Sequence, residues 1–212
     1  MKKLVSLILC FAVLFSFAAC GKETEEEIKD YLTLDNGNIS IVSLQVVSGL
    51  FVEKGNQDNV ENVAALVVKN NSEKMLEYSV ISFRVNTYER AEFTVSALPA
   101  GESVLVMESL ARPFSVDDEY TLADESTIFS YCDASIVSDK AELQINGSEF
   151  NLTNKTDLPL NATVVYKYYQ NGMYYGGIAF RGNFEDIKPH ETKTEVSSRF
   201  NENCKVVNFI VE

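Results

Sequence analysis

Two stretches of strict alternation constrain this chain more than anything else in it. Ile81, Phe83 and Val85 alternate with Ser82, Arg84 and Asn86, and Phe93, Val95 and Ala97 alternate with Glu92, Thr94 and Ser96. Side chains on a strand point to opposite faces with a period of two, so each stretch predicts a strand with one apolar and one solvated face. On a helix the same apolar residues would be scattered around the circumference. Ile39 to Val47, Val63 to Val68 and Val104 to Met107 read as further strands. Gly49, Gly55, Asn56, Lys69-Asn70-Asn71-Ser72 and Leu98-Pro99-Ala100-Gly101-Glu102-Ser103 punctuate them as breaks and turns. No segment of this region sustains helical periodicity. Several short strands with regular turn signals predict an all-β sandwich or barrel.

The order of features then recurs. Asn71-Ser72-Glu73 aligns with Asn154-Lys155-Thr156 at an offset of 83, which places Ile81, Phe83 and Val85 on Val164, Tyr166 and Tyr168. The turn Leu98-Pro99-Ala100-Gly101-Glu102-Ser103 aligns with Ile187-Lys188-Pro189-His190-Glu191-Thr192 at an offset of 89. The six extra residues fall in the Gln170-Asn171-Gly172-Met173-Tyr174-Tyr175 hairpin. Two β-sandwich modules in tandem follow, at 39–136 and 137–212. One larger sandwich is the competing arrangement, since the second copy shows few strands of its own.

Phe150-Asn151-Leu152-Thr153-Asn154, Val164-Val165-Tyr166-Lys167-Tyr168-Tyr169 with Asn171-Gly172, and Ile187-Lys188-Pro189-His190-Glu191-Thr192 carry a resemblance. Over roughly sixty residues the second module is similar to the immunoglobulin-like, FxLYD-type domains of Gram-positive lipoproteins. The family layout has a strand ending in Asn, a strand running into an Asx-Gly turn, and a Leu-x-Pro-Gly-Glu-type turn. Here His190 stands for the usual Gly, and the literal Leu-Tyr-Asp string is missing. The resemblance implies a fold and no activity, because this architecture hosts many functions.

The N-terminus reads as an address. Lys2 and Lys3 precede an apolar run from Leu4 to Ala19, and small residues lead to Cys20, after which the chain turns polar. That is the layout of an export signal over residues 1–19, too short for a permanent span of about 20 apolar residues. Phe17-Ala18-Ala19-Cys20 resembles the lipobox of bacterial lipoprotein signals, departing from it at Phe17, where Leu is commoner. The resemblance implies cleavage before Cys20, diacylation of its sulfur, and a chain held on the outer face of the cell membrane by that lipid. Ordinary secretion, with cleavage after Ala18 or Ala19, is the alternative. Residues 20–38 then read as an acidic tether. Its Thr24-Glu25-Glu26-Glu27 capping box, with Ile28, Tyr31 and Leu32 at helical spacing, predicts one or two turns of helix ended by Asp35-Asn36-Gly37.

Charge narrows the partners. The chain carries a formal net charge of −13. Residues 20–36 are at −4, residues 37–149 at −11, and residues 150–212 hold seven acids and seven bases. So acidic a chain excludes nucleic acid, whose binding rests on Lys and Arg neutralising phosphates. The neutral end holds the candidate binding face. With Tyr166 and Tyr168 inward, Lys167 and Tyr169 point out, joined by at least one of Tyr174 and Tyr175. Lys167, Tyr169, Tyr174 and Tyr175 would suit a protein or glycan partner, since Tyr combines apolar area with a hydroxyl. The other reading packs these rings on the sister module or in the core.

Other candidate chemistry is thin. Cys132 and Cys204 form a possible disulfide in an exported chain, although sequence cannot supply the geometry. The only histidine, His190, reads as a solvated turn residue. Asp117-Asp118-Glu119 with Asp124-Glu125 forms an acidic loop without the spacing of a calcium loop. Asn-x-Ser/Thr strings at Asn38, Asn70, Asn146, Asn151, Asn154 and Asn161 read as turn and strand-edge chemistry. No zinc cluster, cofactor motif or nucleophile motif is present. The expectation is a lipid-anchored binding or assembly module without catalytic activity. The alternative is an accessory or inhibitory subunit of a membrane complex, with the modules as spacers.

Overall fold

The alternating stretches are strands in a computed structural model that describes residues 32–212, apart from 56, 57, 87, 88 and 116. The expected signal peptide, Cys20 and most of the tether lie outside the described residues. The first group of strands is β1 (Leu32–Leu34), β2 (Ile39–Phe51), β3 (Asp58–Asn70), β4 (Met75–Val85), β5 (Glu89–Leu98), β6 (Ser103–Met107), β7 (Tyr120–Leu122) and β8 (Ile128–Cys132). The second is β9 (Ala141–Asn146), β10 (Glu149–Asn154), β11 (Leu160–Gln170), β12 (Met173–Ile187), β13 (Thr192–Val196) and β14 (Cys204–Val211). The second half is thus richer in strands than its sequence suggests. Residues 32–38, expected in the tether, belong to the fold. β1 pairs with β2, Leu34 is buried, and the Tyr131 hydroxyl donates to Asp35 Oδ2 at 2.5 Å.

One seven-stranded sheet runs β1-β2-β3-β6-β12-β11-β14; β13-β10-β9 form a second sheet, and β5-β4-β7, with β8 also on β4, a third. The long sheet feeds two cores from alternate residues. Ala64, Leu66 and Val68 of β3 and Val104 and Val106 of β6 join Ile81, Phe83, Phe93 and Val95 in the first core. Val63, Ala65 and Met107 join Val164, Tyr166, Phe150 and Leu152 in the second. Successive side chains of a strand face opposite ways. The third sheet therefore covers one face of the long sheet and the β13-β10-β9 sheet covers the other.

The two ends repeat one arrangement. β2-β3-β6 packs over β5-β4-β8 in the first half, as β9-β10-β13 does over β12-β11-β14 in the second. Registers correspond: Leu66↔Val106 and Val68↔Val104 match Phe150↔Glu195 and Leu152↔Lys193, and Leu76↔Leu98 matches Leu160↔Ile187. The offset of 83 holds for the inward residues of β4 and β11, but the asparagine that corresponds to Asn154 is Asn70, not Asn71. A β-bulge between Leu76 and Tyr78 adds one residue to β4 and absorbs the difference.

Each asparagine is a buried clasp. Asn70 Nδ2 donates to the carbonyls of Lys74, Leu98 and Pro99, at 2.8, 3.0 and 3.2 Å. Asn154 Nδ2 does the same with Leu158, Ile187 and Lys188, at 2.7, 3.0 and 3.1 Å. Their side-chain oxygens accept from Ser72 and Thr156, backbone and hydroxyl both. An amide offers two donors and an acceptor, which lets one side chain bind two turns at once. The following turn also repeats. Gly101 has φ +76° and its counterpart His190 has φ 61°, so the histidine occupies the left-handed region where glycine costs nothing.

Candidate functional site

The expected binding face is covered. Lys167 has no exposed surface, Tyr174 and Tyr175 are buried, and only Tyr169 keeps partial exposure. Alternation placed Lys167 and Tyr169 opposite Tyr166 and Tyr168, as found, but that opposite face is occupied by β5 of the first half. Tyr169 and Tyr174 pack edge to face at 5.1 Å on the first core, and Lys205 Nζ lies 3.1 Å from the centre of the Tyr169 ring. Tyr175 packs in the second core and donates its hydroxyl to the Leu50 carbonyl at 2.6 Å. These tyrosines complete cores rather than present a surface.

What the structure assembles instead is a charged joint between the halves. β6 and β12 run parallel through Tyr174↔Val104 and Tyr175↔Leu105, the one parallel pair among the described strands. Just beyond it β12 bulges: its register on β11 jumps from Tyr168↔Tyr175 to Tyr166↔Phe180. The bulge presses Gly176 and Gly177 onto the first half. A Cβ on Gly177 would collide with the Thr94 carbonyl, and one on Gly176, at φ +80°, with Val52. Only glycine fits there.

A bulge this wide leaves backbone groups without ladder partners, and buried ones must be satisfied. Lys167 Nζ donates to the carbonyls of Ser96, Gly177 and Ile178, at 2.8, 2.8 and 2.9 Å. Glu53 accepts from the backbone N–H groups of Met107 at 3.0 Å and Gly177 at 2.7 Å. Burial pushes the Lys167 ammonium down, to about 7, against the attraction of Glu53. It pushes the Glu53 carboxyl up, to about 7, against the backbone N–H groups around it and the charge of Lys167. Three donated bonds require the ammonium form, so none of its N–H groups is left for a substrate. The pair serves the backbone of the joint. Glu108 works in the same way in the loop after β6: 1% exposed, it accepts from the N–H groups of Leu110 and Arg112 at 2.8 Å.

The remaining candidates stay apart. Cys132 and Cys204 are free, packed on the first and second core on opposite sides of the long sheet, so the possible disulfide is not formed. Burial pushes both thiols up. In the acidic loop Asp118 accepts from Asn86 and faces Arg112, and Glu125 pairs with Arg84 at 2.9 Å. His190 is exposed and its Nε2 meets Asp157 Oδ1 at 3.0 Å. Among the described residues no group of three or more His, Cys, Asp and Glu is placed to hold a metal ion. Sequence reasoning missed Glu53, Glu108 and the two clasps. Buried Asn70 and Asn154 were legible only as the paired Asn-x-Ser/Thr strings that end corresponding strands.

The sequence matches no family model and no curated protein.

Proposed function

We propose that this chain is an exported, lipid-anchored surface protein whose two immunoglobulin-like modules form one stiff, non-catalytic binding or assembly unit. The observation that carries this reading is the joint. Two halves of equivalent strand order share a sheet through β6 and β12, and the fully buried Lys167, with Glu53, is spent on holding that joint. The strand order supports the immunoglobulin-like assignment. β2, β3 and β6 lie in one sheet and the β4-β5 hairpin between them in another, as β9, β10 and β13 lie in one sheet and the β11-β12 hairpin in another. Cys20 lies twelve residues ahead of β1. At about 3.5 Å per residue that segment spans at most ~40 Å, which keeps the unit close to its anchor.

Metabolic labelling with an alkyne fatty acid tests the anchor. The wild type takes up label and stays with membranes; Cys20→Ser takes up none and is shed. Label on Cys20→Ser, or a shed and unlabelled wild type, would overturn the anchoring. Crosslinking on intact cells tests the role. A wall or soluble partner supports the binding module, a stoichiometric membrane-protein partner supports the accessory subunit, and hydrolytic or transfer activity of the purified chain refutes both.

A further inference from the structure

The two halves carry the same acceptor edge, and among the described residues only one of them is filled. In the first half that edge is β6, which receives β12. Its counterpart in the second half is β13, at an offset of 89, and among the described residues β13 pairs only with β10. The phase of that pairing is fixed: Asn154 N donates to the Glu191 carbonyl and Ser197 N to the Ser148 carbonyl, each at 3.0 Å. In an antiparallel ladder alternate residues turn their backbone groups outward. Thr192, Thr194 and Val196 therefore present N–H and C=O groups to the open side, as Ser103, Leu105 and Met107 do toward β12 and Glu53.

A groove of about 370 Å³ lies beside this edge, between β13 and β12. Phe150, Tyr166 and Phe180 lie buried beneath its floor, and Arg181, Val196 and Arg199 stand exposed at its rim. Val196 is 65% exposed, and the Arg199 guanidinium lies 5.2 Å over the Phe180 ring. One carboxylate, Glu195, lines the groove against two arginines, in a chain whose net charge is −13.

We propose that β13 is a strand-addition site for an extended acidic peptide segment carrying aromatic side chains, bound parallel to β13. The molecule supplies the template itself: along β6 the added strand runs parallel and places Tyr174 and Tyr175 on either side of the sheet. Main-chain bonds along an open edge give affinity and side-chain pockets give choice of sequence. Exposed Val196 and the faces of the Arg181 and Arg199 guanidiniums receive a ring, and the same guanidiniums select carboxylates. This site rests on the binding-module reading and names its partner class.

Fluorescence polarisation of a labelled Gly-Glu-Tyr-Glu-Tyr-Glu-Gly peptide with the full chain tests it, against Gly-Lys-Tyr-Lys-Tyr-Lys-Gly. Binding of the acidic peptide is expected to saturate and to exceed that of the lysine peptide about tenfold. Thr194→Pro removes an outward N–H without touching the β10 ladder, and Arg199→Glu reverses a rim charge. Each should weaken binding about tenfold, while Thr194→Ala, which keeps the N–H, should not. No saturable binding, equal affinity for the lysine peptide, or unaltered binding by Thr194→Pro overturns the proposal. Self-association of the chain that Thr194→Pro abolishes would overturn it in favour of a second copy. If the crosslinked cell partner persists in Thr194→Pro, the site falls while the binding-module reading stands.

Discussion

β6 and β13 are the same strand in two halves of one molecule, and they meet different fates. Their registers on β3 and β10 correspond residue for residue. Val104 and Val106 of β6 are buried, whereas the corresponding residues of β13 are Lys193 and Glu195, half-buried and exposed. β6 carries an apolar residue at every position after Ser103 and is enclosed by β12, Gly177 and Glu53. β13 reads Thr192-Lys193-Thr194-Glu195-Val196 and stays open. Charged residues on a short edge discourage indiscriminate pairing and leave it to a partner of matching charge. The difference teaches that backbone geometry supplied two acceptors, and side-chain chemistry decided which became an internal joint.

The largest effect should come from breaking the joint. Lys167→Met leaves the carbonyls of Ser96, Gly177 and Ile178 unbonded and removes the cation that attracts half-buried Glu53, and should cost about 3–5 kcal/mol in chemical denaturation. Adding Glu53→Gln to it should recover part of that loss. A fully stable single variant would show that the buried charge contributes nothing to the join. Next, Leu105→Pro removes the N–H that β6 turns toward β12 and should cost about 3 kcal/mol. A clasp tests whether the halves are energetically alike. Asn70→Ala and Asn154→Ala should each cost about 2 kcal/mol, since each frees several buried backbone groups. Unequal values would break the equivalence.

Alkaline pH should read the joint from its tyrosines. Burial raises Tyr174 and Tyr175 to about 12, from an ordinary value of 10. The folded state then holds those protons more tightly than the unfolded chain. Their contribution is full below pH 10 and is lost as pH rises from 10 toward 12. Burial also raises Tyr120, Tyr131 and Tyr166. Absorbance at the phenolate band should therefore show a late-titrating group from which two tyrosines, Tyr174 and Tyr175, drop out when Leu105→Pro opens the joint. The smallest effect belongs to the open edge. Thr194→Pro, at the position of Leu105, should change stability by less than about 1 kcal/mol, because its N–H serves no partner among the described residues. A loss equal to that of Leu105→Pro would mean that β13 is not an open edge.

Much of the fold was legible along the chain. Strand alternation in β4 and β5, the Pro-Ala-Gly-Glu turn and the later Lys-Pro-His-Glu turn are local patterns, and each sits where its residues predict. The direction of Lys167 was legible too, since parity with Tyr166 and Tyr168 fixes which face it takes. Its burial was not, because the strand that covers it lies some seventy residues earlier in the chain. β7 and β8 escaped notice because they are short and lie at a sheet margin, with little buried surface to impose a pattern.

The sequence by itself determined an all-β chain with a repeated order of strands and turns, because alternation and turn chemistry act between neighbours. Only the tertiary structure decided that the second copy would hand β12 to the edge of β6. That choice depends on Gly176 and Gly177 allowing close approach, and on Lys167 and Glu53 satisfying the backbone groups freed there. Such terms arise between residues distant in sequence, and they turned the tyrosine hairpin from an expected surface into the filling of two cores.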